Sequence, residues 1–214
     1  MQQQVVFSWP NKEILTAFGK WLSIVLSCFL VTYLTANELA SQNPNRYDMY
    51  TQWELGIPLV PWMILVYLSY VGVFLLLPFI MKSGDSIANL AFGFLASILI
   101  STVVFVVFPG ELGYARPEYI AGFDFLYQLL YTIDQPHNLY PSLHVTFSSL
   151  TAMAMAHQVQ VKWFHVAIAL WAVLIAASVI LVHQHHLFDV VTGLLLGSFC
   201  FRFVYLRDVR RNGA

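Results

Sequence analysis

Three short groups of residues in this chain could do chemistry together. His185 and Asp189 stand four apart in His185-His186-Leu187-Phe188-Asp189, a spacing that puts both on one face of a helix. The carboxylate can then hold one imidazole N–H and leave the other nitrogen bare and basic, the arrangement that makes a histidine a nucleophile or a base. Pro141-Ser142-Leu143-His144 reads as the opening of another helix, where proline is tolerated because its missing N–H would be unpaired anyway. The free N–H groups and positive dipole end of such a turn attract an anion; Ser142 adds a hydroxyl donor and His144 an imidazole. Arg116-Pro117 brings a planar fork of donors suited to phosphate oxygens. Each group alone has an ordinary explanation as a helix-start ion pair, a cap or a loop contact. Together they suit phosphoryl transfer through a histidine, with cationic donors on the equatorial oxygens.

The chain that must position them has 214 residues, 59% hydrophobic and only 10% charged, with a mean hydropathy of +0.69. A soluble domain carries about 25% charged residues, so this one cannot coat a water-facing surface of its size. It belongs in a bilayer. The same composition excludes disorder, and a net charge of −1 leaves no electrostatic footprint for a nucleic-acid partner. Cys28 and Cys200 lie deep in apolar runs and read as small core hydrophobes.

Spanning the hydrocarbon core takes about 20 mostly apolar residues as a helix. Six stretches qualify or nearly qualify, at about 14–36, 58–80, 87–108, 141–157, 162–182 and 187–206. They lack the alternation of barrel strands, so the expected fold is all-α: a polytopic bundle of six transmembrane helices forming a single domain over 1–214. The start has no basic n-region and the first apolar run is too long for a signal peptide, so it is expected to stay as a helix. Residues 122–134 mix Phe123, Phe125, Leu126, Leu129 and Leu130 with polar side chains. They fit a short interfacial helix or a loop packed over the bundle.

Basic residues set the orientation of such a bundle. With six spans, one side collects Lys12, Lys20, Lys82, Lys162, Arg202, Arg207, Arg210 and Arg211, and the other only Arg46 and Arg116. The termini are therefore expected in the cytoplasm. All three candidate groups then fall on the outward side, by a count that did not use the histidines or Asp189.

The order Arg116-Pro117, Pro141-Ser142-x-His144, His185-x-x-x-Asp189 resembles the type 2 phosphatidic acid phosphatase superfamily of six-helix membrane enzymes. That family's pattern is Lys-x6-Arg-Pro, Pro-Ser-Gly-His and Ser-Arg-x5-His-x3-Asp. The stretch from Trp53 to Trp62 and Tyr67-Leu68-Ser69 also look like bacterial members, which implies a bacterial inner (plasma) membrane. The departures are specific: Pro109 stands at the family lysine, Val179 at its second arginine and Leu143 at the usual glycine. In this respect the chain is closer to the branch of inositolphosphotransferases and sphingomyelin-synthase-like proteins. The resemblance implies that His185 attacks phosphorus, that Asp189 orients it and that His144 serves as acid and then base. Arg116 and Ser142 would hold the phosphoryl oxygens, with His183 as a substitute donor when protonated. It implies no cofactor and no metal, although His183, His185 and His186 sit close in sequence. The expected partners are a lipid phosphate from the bilayer and the membrane lipids themselves. A headgroup phosphotransferase is the alternative outcome, and a transporter or assembly subunit the alternative class.

Overall fold

The computed structural model describes residues 6–207; Arg210 and Arg211, used in the charge count, lie outside them. Among the described residues eight α-helices follow one another: α1 (Lys12–Gln42), α2 (Met63–Leu75), α3 (Leu77–Ile80), α4 (Gly84–Val107), α5 (Asp124–Ile133), α6 (Leu143–Gln158), α7 (Lys162–Leu181) and α8 (Leu187–Cys200). A 3-10 turn covers Glu54–Gly56 and a π turn, Phe201–Tyr205, continues α8. There is no strand among the described residues; Tyr47 and Gly110 form an isolated bridge.

Among the described residues four helical segments are long and apolar enough to cross a membrane: α1, α4, α7, and α8 with its π turn through Tyr205. Their outward faces are apolar, with Leu30, Val31 and Leu34 exposed on α1, Leu170 and Val173 on α7, and Leu194 and Leu195 on α8. Continuous apolar surface on several helices has no place in water; this is a membrane protein.

The stretch expected as one helix over 58–80 is broken. Pro78 lies near the start of α3, where its ring and missing N–H disrupt the bonding of the turn before it, and Leu76 separates α2 from α3. The first helix runs six residues past its expected end at 36, burying Ala36 and Ala40. The expected 122–134 segment is helical over Asp124–Ile133, with Tyr127 and Leu130 buried and Phe125 and Ile133 exposed.

Helix α6 is the central pillar, packed against α4, α7 and α8. That position explains its modest hydropathy, because Thr146, Ser148, Ser149 and Thr151 are buried within the bundle. Its contact with α8 is close. A Cβ on Gly193 would lie 2.6 Å from the Ser142 carbonyl oxygen, and one on Gly197 2.8 Å from that of Thr146. Gly193-x-x-x-Gly197 is thus a packing device of the kind that lets helix backbones approach. Thr146 Oγ1 donates to the Gly193 carbonyl at 3.0 Å, and the Ser142 N–H donates to the Asp189 carbonyl at 3.0 Å. These contacts fix the start of α6 against the start of α8.

Candidate active site

Asp189 sits in the first turn of α8, and His185 lies just before the helix. The two were expected on one helix face; the helix instead begins at Leu187, with His186 as its N-cap. Asp189 Oδ2 accepts the His186 N–H at 2.8 Å and meets His185 Nδ1 at 3.3 Å. One carboxylate oxygen therefore caps the helix and orients the histidine. The His185 side chain is buried, as is Asp189, and with Nδ1–H on the carboxylate its Nε2 is left basic.

His144 is the second residue of α6, and its ring centroid lies 5.8 Å from that of His185. It is boxed in by two tyrosines of α2, Tyr67 tilted at 4.5 Å and Tyr70 edge-on at 5.2 Å. Ser142 is the N-cap of α6, its Oγ accepting from the Val145 N–H at 3.5 Å. Its own N–H is already engaged by Asp189, so the helix-start donors left for an anion are the N–H groups of Leu143 and His144.

Arg116 reaches in from the loop after α4. Its guanidinium donates to the Asp134 carbonyl at 2.6 Å and to Gln184 Oε1 at 3.3 Å, and lies 4.8 Å from the centre of the Tyr131 ring. Nε is buried with no hydrogen-bond partner among the described residues. The arginine thus stands beside Gln184, the residue next to His185, with a donor to spare.

His183 is elsewhere. At φ 57° it is turned so that its ring stacks on Tyr114 at 3.9 Å, and Nε2 donates to the Ile57 carbonyl at 2.9 Å. Burial lowers its pKa despite that bond, which disfavours the imidazolium expected to stand in for a missing cation. His186 is also structural. Its Nε2 accepts the Gly113 N–H at 3.0 Å, and its ring lies between Tyr50 and Tyr114 at 4.5 Å from each. Burial lowers its pKa against the pull of Asp189 and Glu54. The three histidines thus point to three different partners.

Glu54 completes this clamp. It is buried, and accepts from the Leu187 N–H at 2.8 Å and from the Thr51 N–H and hydroxyl at 2.9 and 2.8 Å. Burial alone would raise its pKa, but these donors and His186 outweigh it and hold the carboxyl below its usual value. The loops before α2 and after α4 are so tied to the start of α8. The only sequence signal for Glu54 was a lone acid in an aromatic stretch.

The side of the site that sequence reading missed is the support of His144. Tyr67 Oη lies 2.7 Å from His144 Nε2 and 3.2 Å from Asp134 Oδ2, and Tyr33 donates to Asp134 Oδ1. Tyrosines in these helices read from sequence as an aromatic belt, and Asp134 as one of many outer-loop acids.

Beside the histidines lies an apolar cleft of about 430 Å³ between α1, α2 and α4, lined also by α5 and the start of α6. His144, His185 and Asp134 form its polar end. On α1 its wall runs from Tyr33 down to Phe18, a length of ~22 Å at the rise of an α-helix.

A membrane-embedded helical protein with a buried and a half-buried histidine facing each other, a carboxylate on one of them and an arginine nearby has the groups that chemistry on a phosphate ester needs. The family model of the PAP2 superfamily matches residues 90–212, and the chain belongs to that superfamily. Its members are phosphatases. An uncharacterised protein of Methanocaldococcus jannaschii is 30% identical over 123 residues, covering 58% of this chain and 48% of that protein. The matched region therefore spans about half the length of this curated relative. No solved structure matches the chain.

Proposed function

We propose that the protein is a lipid phosphatase working through a phosphohistidine at the extracytoplasmic face of a plasma membrane, as in the bacterial inner membrane. The observation that carries this reading is the placement of His185–Asp189 and His144 at the polar end of an apolar cleft. A phosphorylated headgroup can meet the histidines while its hydrocarbon stays among α1, α2 and α4. In this reading all six apolar segments cross the bilayer, with α2 and α3 together as one kinked span and α5 lying at the outer interface.

His185 Nε2 attacks phosphorus and the bond to the lipid oxygen breaks. His144 donates its proton to that oxygen, a poor leaving group that needs an acid. Water then attacks the phosphohistidine and gives a proton to His144; the P–N bond breaks and phosphate leaves. Asp189 holds the His185 ring in one tautomer and stabilises its charge. Arg116 Nε and the N–H groups opening α6 steady the phosphoryl oxygens, with Ser142 acting as the cap that fixes that turn. His183 has no phosphate contact in this reading, since its Nε2 is on Ile57.

A second reading, headgroup transfer to a hydroxyl acceptor, draws support from charge. Among the described residues one arginine, Arg116, stands by the site, and the Asp134 carboxylate lies at the same end of the cleft. A singly charged diester suits that balance better than a phosphomonoester near −2. The test is purified protein presented with phosphatidate, phosphatidylglycerophosphate, a polyprenyl diphosphate and a sphingolipid phosphate. Phosphate release that His185→Ala abolishes is the expected result. Headgroup exchange without phosphate release would establish the transferase instead, and no turnover with any lipid would defeat both.

A further inference from the structure

The polar end of the cleft is rich in acceptors. Asp134 lines it half-buried, one carboxylate oxygen taking the Tyr33 hydroxyl and the other lying 3.2 Å from that of Tyr67. Both partners are neutral, and among the described residues no Lys, Arg or His forms an ion pair with this carboxylate. The Arg116 guanidinium donates to the backbone carbonyl of the residue instead. Asn138 lines the same cleft and is only 4% exposed. Its amide nitrogen donates to the Tyr33 carbonyl at 3.1 Å, which fixes the oxygen as the other end, and Oδ1 is buried with no donor among the described residues.

A buried acceptor without a donor is costly, and a carboxylate that has accepted two hydroxyls has lone pairs left. Together they call for a group with several N–H donors and a positive charge. The rings of Tyr33, Tyr67 and Tyr70 line the same end, and aromatic rings favour a desolvated ammonium. Where that group sits on the substrate follows from the site. Phosphorus belongs at His185 and the hydrocarbon among α1, α2 and α4, so Asp134 and Asn138 meet the atoms between. The Tyr67 hydroxyl touches both Asp134 and His144, at 3.2 and 2.7 Å. A group on Asp134 is therefore one side chain away from the acid that protonates the departing oxygen. An ammonium beyond the phosphate, as in a choline or ethanolamine headgroup, lies on the wrong side of phosphorus for these residues.

We infer that Asp134 and Asn138 form a subsite for a primary ammonium on the lipid chain itself, on the carbon next to the one that bears phosphate. The inference rests on the phosphatase reading above and names its substrate class, a 2-amino lipid phosphate. The charges then balance: the ammonium brings a phosphomonoester near −2 to about −1, without recourse to a diester. Against lipid phosphates that lack the amine, the unpaired carboxylate is a repulsive element, and specificity draws on both terms.

The test uses three phosphates of one chain length in mixed micelles: 2-aminooctadecyl, 2-hydroxyoctadecyl and octadecyl phosphate. Phosphate release by the wild type is expected to show kcat/KM roughly ten- to a hundredfold higher for the amine than for either of the others, the worth of a hydrogen bond between charged groups. Asp134→Asn is expected to bring the ratio of amine to alkyl substrate close to one, and Asn138→Leu to lower it less. The ratio is the readout, because Asp134 also supports His144 and its loss changes every rate. A comparison that needs no variant is inhibition of octadecyl phosphate turnover in the wild type. There 2-aminooctadecan-1-ol should be at least about tenfold stronger than octadecane-1,2-diol. A wild-type ratio near one, a hydroxyl substrate as good as the amine, a preference that survives Asp134→Asn, or equal inhibition by the two alcohols would overturn the ammonium subsite and leave the phosphatase reading standing. So would release from phosphatidate but from none of the three. No release from these or from any other lipid phosphate would overturn that reading and the inference with it.

Discussion

His185 and His144 face each other across one site, yet the fold holds them by opposite means. His185 is secured by Asp189, four residues on, through a helix cap that is complete within one turn of α8. His144 is secured by Tyr67 and Asp134, 77 and 10 residues away in the chain, and forms its support only when α2, α5 and α6 assemble. The first device is local, so it forms wherever the start of α8 forms. The second depends on where separate helices come to rest and responds to anything that moves α5 or α2. The two histidines thus have separate tolerances.

The largest effect should come from breaking the local device. His185→Ala is expected to remove turnover and any acid-labile phosphoenzyme. Asp189→Asn is expected to cost roughly 10⁴-fold, if tautomer control matters as it does in the serine-protease triad. Substantial phosphoenzyme in the His185→Ala protein, measured by acid lability after trapping, would mean that the nucleophile is another residue.

A smaller, conditional effect should follow from removing the other partner. His144→Ala is expected to lower hydrolysis of natural lipid phosphates roughly 10²- to 10⁴-fold, the range for general acid–base catalysis. Phosphoenzyme formation from p-nitrophenyl phosphate should fall far less. Equal losses for poor and good leaving groups would sharpen the comparison in the wrong direction, showing His144 to be a binding group.

The difference between the regions also governs what could be read without a structure. His185, Asp189, His144 and Arg116 announce themselves because polar residues are rare in apolar helices and at their edges. The spacing of Gly193 and Gly197 signals close helix packing, but not that α6 is the helix packed there. Tyr67 and Asp134 have no such mark: their meaning lies in a separation of 67 residues that no spacing rule encodes. The break at Leu76 was visible in Pro78 but outweighed by the continuous apolar run around it. His183 drew notice as a substitute donor from its place two residues before His185, a spacing that says nothing of where its ring points; its Nε2 lies on the Ile57 carbonyl. A single residue at φ 57° turns its ring away from its neighbour's site.

The smallest effect expected is on stability, and it bears on the clamp behind His185. Burial holds His183 and His186 below their ordinary pKa, so the folded protein keeps both neutral while the unfolded chain protonates near 6.5. Their contribution is full above about pH 6.5 and is lost as pH falls from there through the folded values. Glu54, also held below its usual value, adds a second loss only below about 4.5. The unfolding temperature in detergent should be level from pH 8 to 7 and fall in two stages below. A flat profile down to pH 5 would show the histidine clamp to be energetically idle.

The cleft between α1, α2 and α4 has a consequence for kinetics. It opens among helices whose outer faces are apolar, so on the reading proposed here a substrate reaches the histidines by diffusing in two dimensions and never enters bulk water. The quantity that sets the rate is then the mole fraction of substrate in the surrounding amphiphile. Diluting a mixed micelle with water at fixed composition should leave the rate unchanged, and adding inert detergent at fixed substrate should lower it.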